Sequence, residues 1–320
     1  MPAGRPARYT DPVPDDIRSR SRSAAAVALA AAMLACGLAA GPADPPAFDG
    51  GRAFEHLRAV VAFGPRPPGS AAAEETRRYI KAQMTALGVQ VAEQAFDAKT
   101  PIGPVKMANV RATIPGDRAE RLIIAGHYDT KLFRQFRFVG ANDAGSSTAF
   151  LIEMARVLKA RKNPFTIELL FFDGEEAFID WYLGDDNRYG SRHYVQEAKR
   201  TGDLARIKAL ILVDMIGDRD LVIKREPTST AWLTDAIWST ARSLGYGSVF
   251  SDDTYAVEDD HVPFLKAGVP AVDLIDLEYP PWHTADDTLD KVSARSMEIV
   301  GRVVTAALPK IERRLLGPAR

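Results

Sequence analysis

The stretch Ile167-Glu168-Leu169-Leu170-Phe171-Phe172-Asp173-Gly174-Glu175-Glu176-Ala177-Phe178 decides the fold. It opens with an apolar, aromatic-rich run that reads as a buried strand. It then turns acidic at once, with Asp173, Glu175 and Glu176 at the strand end and Gly174 permitting a sharp turn. In open α/β sheets, ligands bind in the crevice beyond the carboxyl ends of the strands. Two adjacent glutamates there can divide labour. One can bind a metal while its neighbour, kept off the metal, handles protons. A solvated acidic turn is the plain alternative. It weakens because carboxylates and histidines recur after other apolar strands.

Working outward, each central strand ends in a candidate ligand. Leu122 to Ala125 runs into Gly126-His127-Tyr128-Asp129, and a Gly- and Asn-rich loop carries Asn142-Asp143-Ala144-Gly145. Ala209 to Val213 ends at Asp214, and the last loop gives Trp282-His283-Thr284-Ala285-Asp286-Asp287. Imidazole and carboxylate are ordinary zinc ligands. One such residue is weak evidence, whereas five loops on one sheet edge point to a metal centre. Around these strands the periodicity predicts helices at residues 52–62, 71–87, 146–159, 232–244 and 293–316. Residues 89–96 and 105–114 alternate as strands about a Pro101–Pro104 turn, and residues 269–275 give a last strand. The alternation predicts a single three-layer α/β/α domain with a mixed, mostly parallel central sheet. Trp232 and Trp238 read as core, and His56 and His193 as structural residues.

The 320 residues carry 46% hydrophobic residues, a net charge of -1 and one cysteine. That is ample for a core, rules out an internal disulfide, and offers no nucleic-acid surface. Arg18, Arg20 and Arg22 precede a short apolar run, Ala24 to Ala35, which is too short to span a bilayer comfortably. This is the pattern of a secretory signal. Met33-Leu34-Ala35-Cys36-Gly37 resembles a bacterial lipoprotein cleavage site. Residues 1–36 are therefore expected to be an export segment, residues 37–47 a Pro- and Gly-rich tether, and residues 48–320 the folded domain. The expected location is periplasmic, anchored to the membrane through a lipidated Cys36, or secreted after ordinary cleavage. An uncleaved anchor is the remaining alternative.

The order His127, Asp143, Glu175-Glu176, Asp214, His283 resembles the zinc aminopeptidase family. Within it, the surrounding text resembles the animal-type glutaminyl-peptide cyclotransferases. The matching pieces are Gly126-His127-Tyr128-Asp129-Thr130-Lys131, Phe138 to Asp143, Phe171 to Phe178 with Trp181, and Tyr189-Gly190-Ser191-Arg192-His193. Asp214 to Gly217, Asp259 to Leu265, Gly268-Val269-Pro270 and Trp282-His283-Thr284 complete them. The resemblance implies that Asp143, Glu176 and His283 hold one zinc per chain, with His127 at a second-metal position. It implies that Glu175 is the general base and acid, with Asp214 and Asp259 as a hydrogen-bonded carboxylate pair beside it. Trp181 and Trp282 would line a substrate pocket, with Tyr279 as the aromatic of the loop before Trp282. His261 would orient its loop. Asp273 stands where the animal enzymes carry a pocket histidine. The implied substrates are peptides or proteins with an N-terminal glutamine, converted to pyroglutamate with release of ammonia. A two-zinc aminopeptidase of the same fold, with Asp143 bridging to His127 and Asp214, and a tethered binding module without activity are the competing expectations.

Overall fold

The computed structural model describes residues 46–317. In chain order these are α1 (Gly50–Ala62), α2 (Ala71–Ala86), β1 (Gln90–Thr100), β2 (Gly103–Ile114), β3 (Arg118–His127), α3 (Gly145–Lys159), β4 (Phe165–Phe172) and α4 (Tyr189–Thr201). There follow β5 (Ile207–Asp214), β6 (Ile223–Arg225), α5 (Ala231–Ser243), β7 (Phe250–Thr254), α6 (His261–Lys266), β8 (Ala271–Ile275) and α7 (Ala294–Leu316). The export segment and nearly all of the tether fall outside the described residues. Side-chain oxygens of Asp49, Ser70 and Ser293 accept backbone amides at the starts of α1, α2 and α7. Such caps satisfy amides that have no partner within the helix.

Six strands form the main sheet in the order β1-β2-β4-β3-β5-β8. The β1–β2 and β2–β4 pairs are antiparallel, and β4, β3, β5 and β8 run parallel. The parallel strands are buried on both faces, and their side chains alternate between two cores. Leu122 and Ile124 of β3, Leu169 and Phe171 of β4, and Ile211 and Val213 of β5 join the core with α1, α2, α3, α5 and α7. Ile123, Ala125, Leu170, Phe172, Leu210 and Leu212 join the opposite core with α4 and Phe264 of α6. The result is the three-layer arrangement that the strand–helix alternation predicts. The chain leaves β3 for β4 on one side, then crosses to β5 on the other. The crevice at that switch of direction opens at the carboxyl ends of β3, β4 and β5.

The structure adds several short segments and one longer helix, α4, whose 13 mostly polar residues carry little apolar periodicity. Helices α4 and α6 and the two-stranded β6–β7 sheet were not foreseen. Helix α6 has six residues and β6 three, both below the length at which periodicity speaks. Strand β3 starts at Arg118, before its apolar run, because Arg121 pairs with Thr166 and Ile207 of the neighbouring strands.

Glu168 is the one charged residue of β4, and it is fully buried. It accepts from Arg111 Nε at 2.6 Å and Tyr194 Oη at 2.8 Å, and lies 3.1 Å from Arg121 Nε. Deleting one partner of a buried ion pair leaves the others desolvated without compensation, at a cost of roughly 3–5 kcal/mol. Both guanidiniums keep some solvent contact, so Glu168→Ala should destabilise by about 3 kcal/mol. Urea denaturation at unchanged m-value is the check.

Candidate metal centre and active site

The strand ends converge on two overlapping ligand clusters, Asp143–Glu176–His283 and His127–Asp143–Asp214. His283 Nε2 lies 3.0 Å from Glu176 Oε1 and 3.3 Å from Asp143 Oδ2. His127 Nε2 lies 3.3 Å from Asp143 Oδ1 and 3.2 Å from Asp214 Oδ1. Four ligands about 2.0–2.1 Å from a tetrahedral zinc stand about 3.3 Å apart. Both clusters therefore fit a zinc-sized cation, and the two oxygens of Asp143 face one cluster each. Glu175 belongs to neither cluster, although it neighbours a ligand in sequence.

Two buried carboxylates hold the ligand loops. Asp129 accepts the amides of Glu175 at 3.2 Å and Glu176 at 3.3 Å. Its Oδ1 also lies 3.4 Å from His127 Nδ1. Asp287 accepts the amides of Asn142 at 2.8 Å and Asp143 at 3.1 Å, and the Tyr279 hydroxyl at 2.9 Å. One carboxylate thus ties β3 to the glutamate loop, and the other ties the His283 loop to the Asp143 loop. Gly174 has φ +70, and a Cβ there would sit 2.6 Å from Met107 Sδ. Gly140 has φ +51, and a Cβ would lie 1.9 Å from the Asp143 carbonyl oxygen. Met215 and His283 adopt positive φ without being glycine, at 44° and 56°. Residues held in that sparsely populated region cluster at functional sites.

Burial dominates the electrostatics. It pushes Glu175 well above the ordinary carboxylate range, and the charges of Asp259, Glu176 and Asp260 push the same way against His127. Asp259 rises to about 6 through burial and the neighbouring Asp214 charge. Burial also raises Asp214, against the pull of His127. His283 is lifted to about 10: burial opposes the charge, but Glu176 and Asp143 outweigh it. A buried cluster with more acid than base and both imidazoles drawn toward carboxylates is the environment a bound cation would relieve.

A cavity of about 740 Å³ opens over the clusters. Trp181, Trp282, Glu175, Asp214, Asp259, Lys131 and Tyr255 are among its lining residues. The Trp282 ring stacks on His283 with centroids 4.3 Å apart, and Arg188 lies over Trp181 at 5.5 Å. Tyr279, expected in the substrate pocket, does not line the cavity. It is 3% exposed and packs with Met215 and Ile275 beneath the His283 loop. The Tyr279–Asp287 hydrogen bond and that packing turn the ring inward. Asp273 is fully buried, with His261 Nδ1 3.5 Å from its Oδ2. His261 also lies 3.3 Å from Glu226, which lines the cavity, so it bridges two carboxylates at the cavity wall. Sequence reasoning missed Asp129, Asp287 and the aromatic neighbours of His283, Phe133 and Phe138. The Asp two places after His127 and the Asp four after His283 were the available signals.

The fold and these clusters define a class: the chain belongs to peptidase family M28, whose model matches residues 109–308. Among the proteins it resembles are glutaminyl-peptide cyclotransferases. It is 31% identical over 273 residues to the glutaminyl-peptide cyclotransferase-like protein of Bos taurus, covering 76% of this chain and 71% of that protein. It superposes on the crystal structure of an Acidobacteriales bacterium glutaminyl cyclase with TM-score 0.80 and 38% identity, over 86% of this chain and 98% of that one. For Porphyromonas gingivalis glutaminyl cyclase the TM-score is 0.76 at 29% identity, over 82% of this chain and 98% of that one.

The grip of Asp129 on the glutamate loop has a measurable consequence. Asp129→Asn turns one acceptor into a donor facing an amide hydrogen. Partners of this kind are typically worth about 10–100-fold in metal affinity. A loss of that size in a chelator competition is expected.

Proposed function

We propose that the protein is a zinc-dependent glutaminyl-peptide cyclotransferase, converting N-terminal glutamine of peptides to pyroglutamate with release of ammonia. The observation that carries this reading is the separation of roles within one adjacent pair. Glu176 belongs to a ligand cluster, and Glu175 faces the same cavity without belonging to either. The relatives' names supply the substrate class, and the cavity is compatible with it.

Asp143, Glu176 and His283 would hold the metal. The chemistry zinc supplies when bound is Lewis acidity toward the carbonyl oxygen of the substrate's side-chain amide. Trp181 and Trp282 are the rigid walls that would hold the glutamine bent, so that its own α-amine lies against that carbonyl. Bringing the two groups together in one pocket is a proximity effect. A new C–N bond forms between the α-nitrogen and the side-chain carbonyl carbon, and the bond from that carbon to the amide nitrogen breaks. Glu175 takes a proton from the attacking amine and returns it to the leaving nitrogen, which departs as ammonia. Asp214 and Asp259 line the same cavity and would tune Glu175 by their charge, although no hydrogen bond joins the two carboxylates and Asp259 Oδ2 has no partner among the described residues.

The cluster His127–Asp143–Asp214 favours a second reading, a two-zinc aminopeptidase. Metal stoichiometry separates them: one zinc per chain is expected for the cyclotransferase.

We also propose that the protein works outside the cytoplasm, on the strength of residues 1–36. Cell fractionation with metabolic lipid labelling tests this. A cytosolic full-length product would refute export, and an exported, unlabelled protein would refute only lipidation at Cys36.

Glu175→Gln should keep its zinc and bind a Gln-initiated peptide, yet release ammonia about 10²–10⁴-fold more slowly, roughly 3–5 kcal/mol of barrier. Glu176→Gln and His283→Ala should lose metal instead. Chelation should abolish activity and added zinc restore it. Near wild-type turnover by Glu175→Gln would sink the proton-transfer role.

A further inference from the structure

Arg66 lies outside the residues that line the cavity, yet it is fully buried. Its guanidinium reaches three separate segments. Nε donates to the Tyr128 carbonyl at 3.1 Å. Nη1 donates to the carbonyls of Gly64 at 3.1 Å and Val139 at 2.6 Å. Nη2 donates to the Gly140 carbonyl at 3.0 Å. All four partners are backbone carbonyls, so four of its roughly five N–H donors are engaged without a direct carboxylate contact. The Arg66 backbone is fixed in turn, its amide donating to Thr130 Oγ1 at 2.9 Å.

Burying a guanidinium is expensive unless its surroundings compensate. Desolvation lowers Arg66 to about 10, while the charges of Asp287, Asp129 and Asp143 work against that fall. Asp143 is the residue shared by both ligand clusters, and Asp287 and Asp129 grip the ligand loops. Three of the four carbonyls that Arg66 holds, those of Tyr128, Val139 and Gly140, belong to two of those loops. Tyr128 lies between His127 and Asp129, and Val139 and Gly140 lead into Asp143.

We propose that Arg66 is a positioning residue for the metal centre: its guanidinium locks the Asp143 loop against the His127 end of β3, fixing the spacing between ligands that come from different loops. The assignment rests on the zinc reading above. It explains why a charged residue is retained where a neutral core would cost less. A planar fork with donors on several edges can bridge carbonyls on opposite sides, whereas an ammonium, whose three donors radiate from one nitrogen, cannot span them.

The test uses the purified protein with zinc, and with Co²⁺ as a visible-absorbing stand-in for it. Arg66→Lys should fold but bind zinc about 10–100-fold more weakly. Its Co²⁺ spectrum should shift from that of wild type, a sign of altered ligand geometry. Thr130→Val removes the Arg66 backbone tether and should give a smaller loss in the same direction. Ile80→Ala, a cavity-forming change in the buried face of α2, should lower Tm while leaving zinc affinity and the Co²⁺ spectrum as in wild type. Wild-type affinity and spectrum in Arg66→Lys and Thr130→Val would overturn the proposal. If Arg66→Lys does not fold, unchanged zinc binding by Thr130→Val overturns it alone. Equal zinc loss in Ile80→Ala would also overturn it, since the effect would then be general destabilisation. A wild-type protein that takes up no zinc would refute the metal reading, and this proposal with it.

Discussion

Asp129 and Asp287 each accept two consecutive backbone amides, and each does so beside a metal-ligand candidate. A carboxylate that accepts two amides fixes a peptide plane as well as a position, and hydrogen bonds to charged groups are the strong ones. The site's side chains come from loops on four parallel strands. Loops are the least constrained parts of a fold. Asp129 fixes the two peptide amides that set Glu175 and Glu176 apart, and backbone bonds from Arg188 to the Glu175 carbonyl and from Tyr189 to the Gly174 carbonyl, both 2.7 Å, hold the same turn from the other side. The division of labour between adjacent glutamates therefore depends on groups that need not touch substrate or metal.

The sheet does the coarser work. Parallel strands buried on both faces end together, so their carboxyl ends deliver His127, Asp173 to Glu176, and Asp214 to one edge. Strands β3 and β5 are direct neighbours, which puts Asp214 within 3.2 Å of His127. The switch of chain direction around β3 opens the crevice that the cavity occupies. The same cluster chemistry serves either one or two cations. What favours the cyclotransferase reading is the chain's likeness to cyclotransferases, and metal stoichiometry is what separates the two.

Much of this was legible in the sequence because it rests on local pattern. Apolar runs followed at once by Asp, Glu or His mark strand ends, and the ligand candidates lie there. The long helices were readable from their spacing. Asp129, Asp287 and Arg66 were not, because their roles lie in which distant amide or carbonyl they meet. That depends on loop paths rather than residue type. Tyr279 shows the same limit from the other side. Its place in a loop before Trp282 suggested the pocket, but the direction of its ring is set by a hydrogen bond to Asp287 that no periodicity reveals. The pairing of Asp214 with His127 likewise follows from strand order, which a list of strands does not contain.

The central claim is that this centre closes a glutamine on its own amine rather than removing a residue from a peptide. Mass spectrometry of a Gln-initiated peptide incubated with the zinc-loaded protein, with Leu-p-nitroanilide run in parallel, tests it most directly. The account predicts a peptide of unchanged length that has lost one ammonia, with no hydrolysis of the leucine substrate. A peptide shortened from its N-terminus, or release of p-nitroaniline with the Gln-peptide untouched, would contradict it.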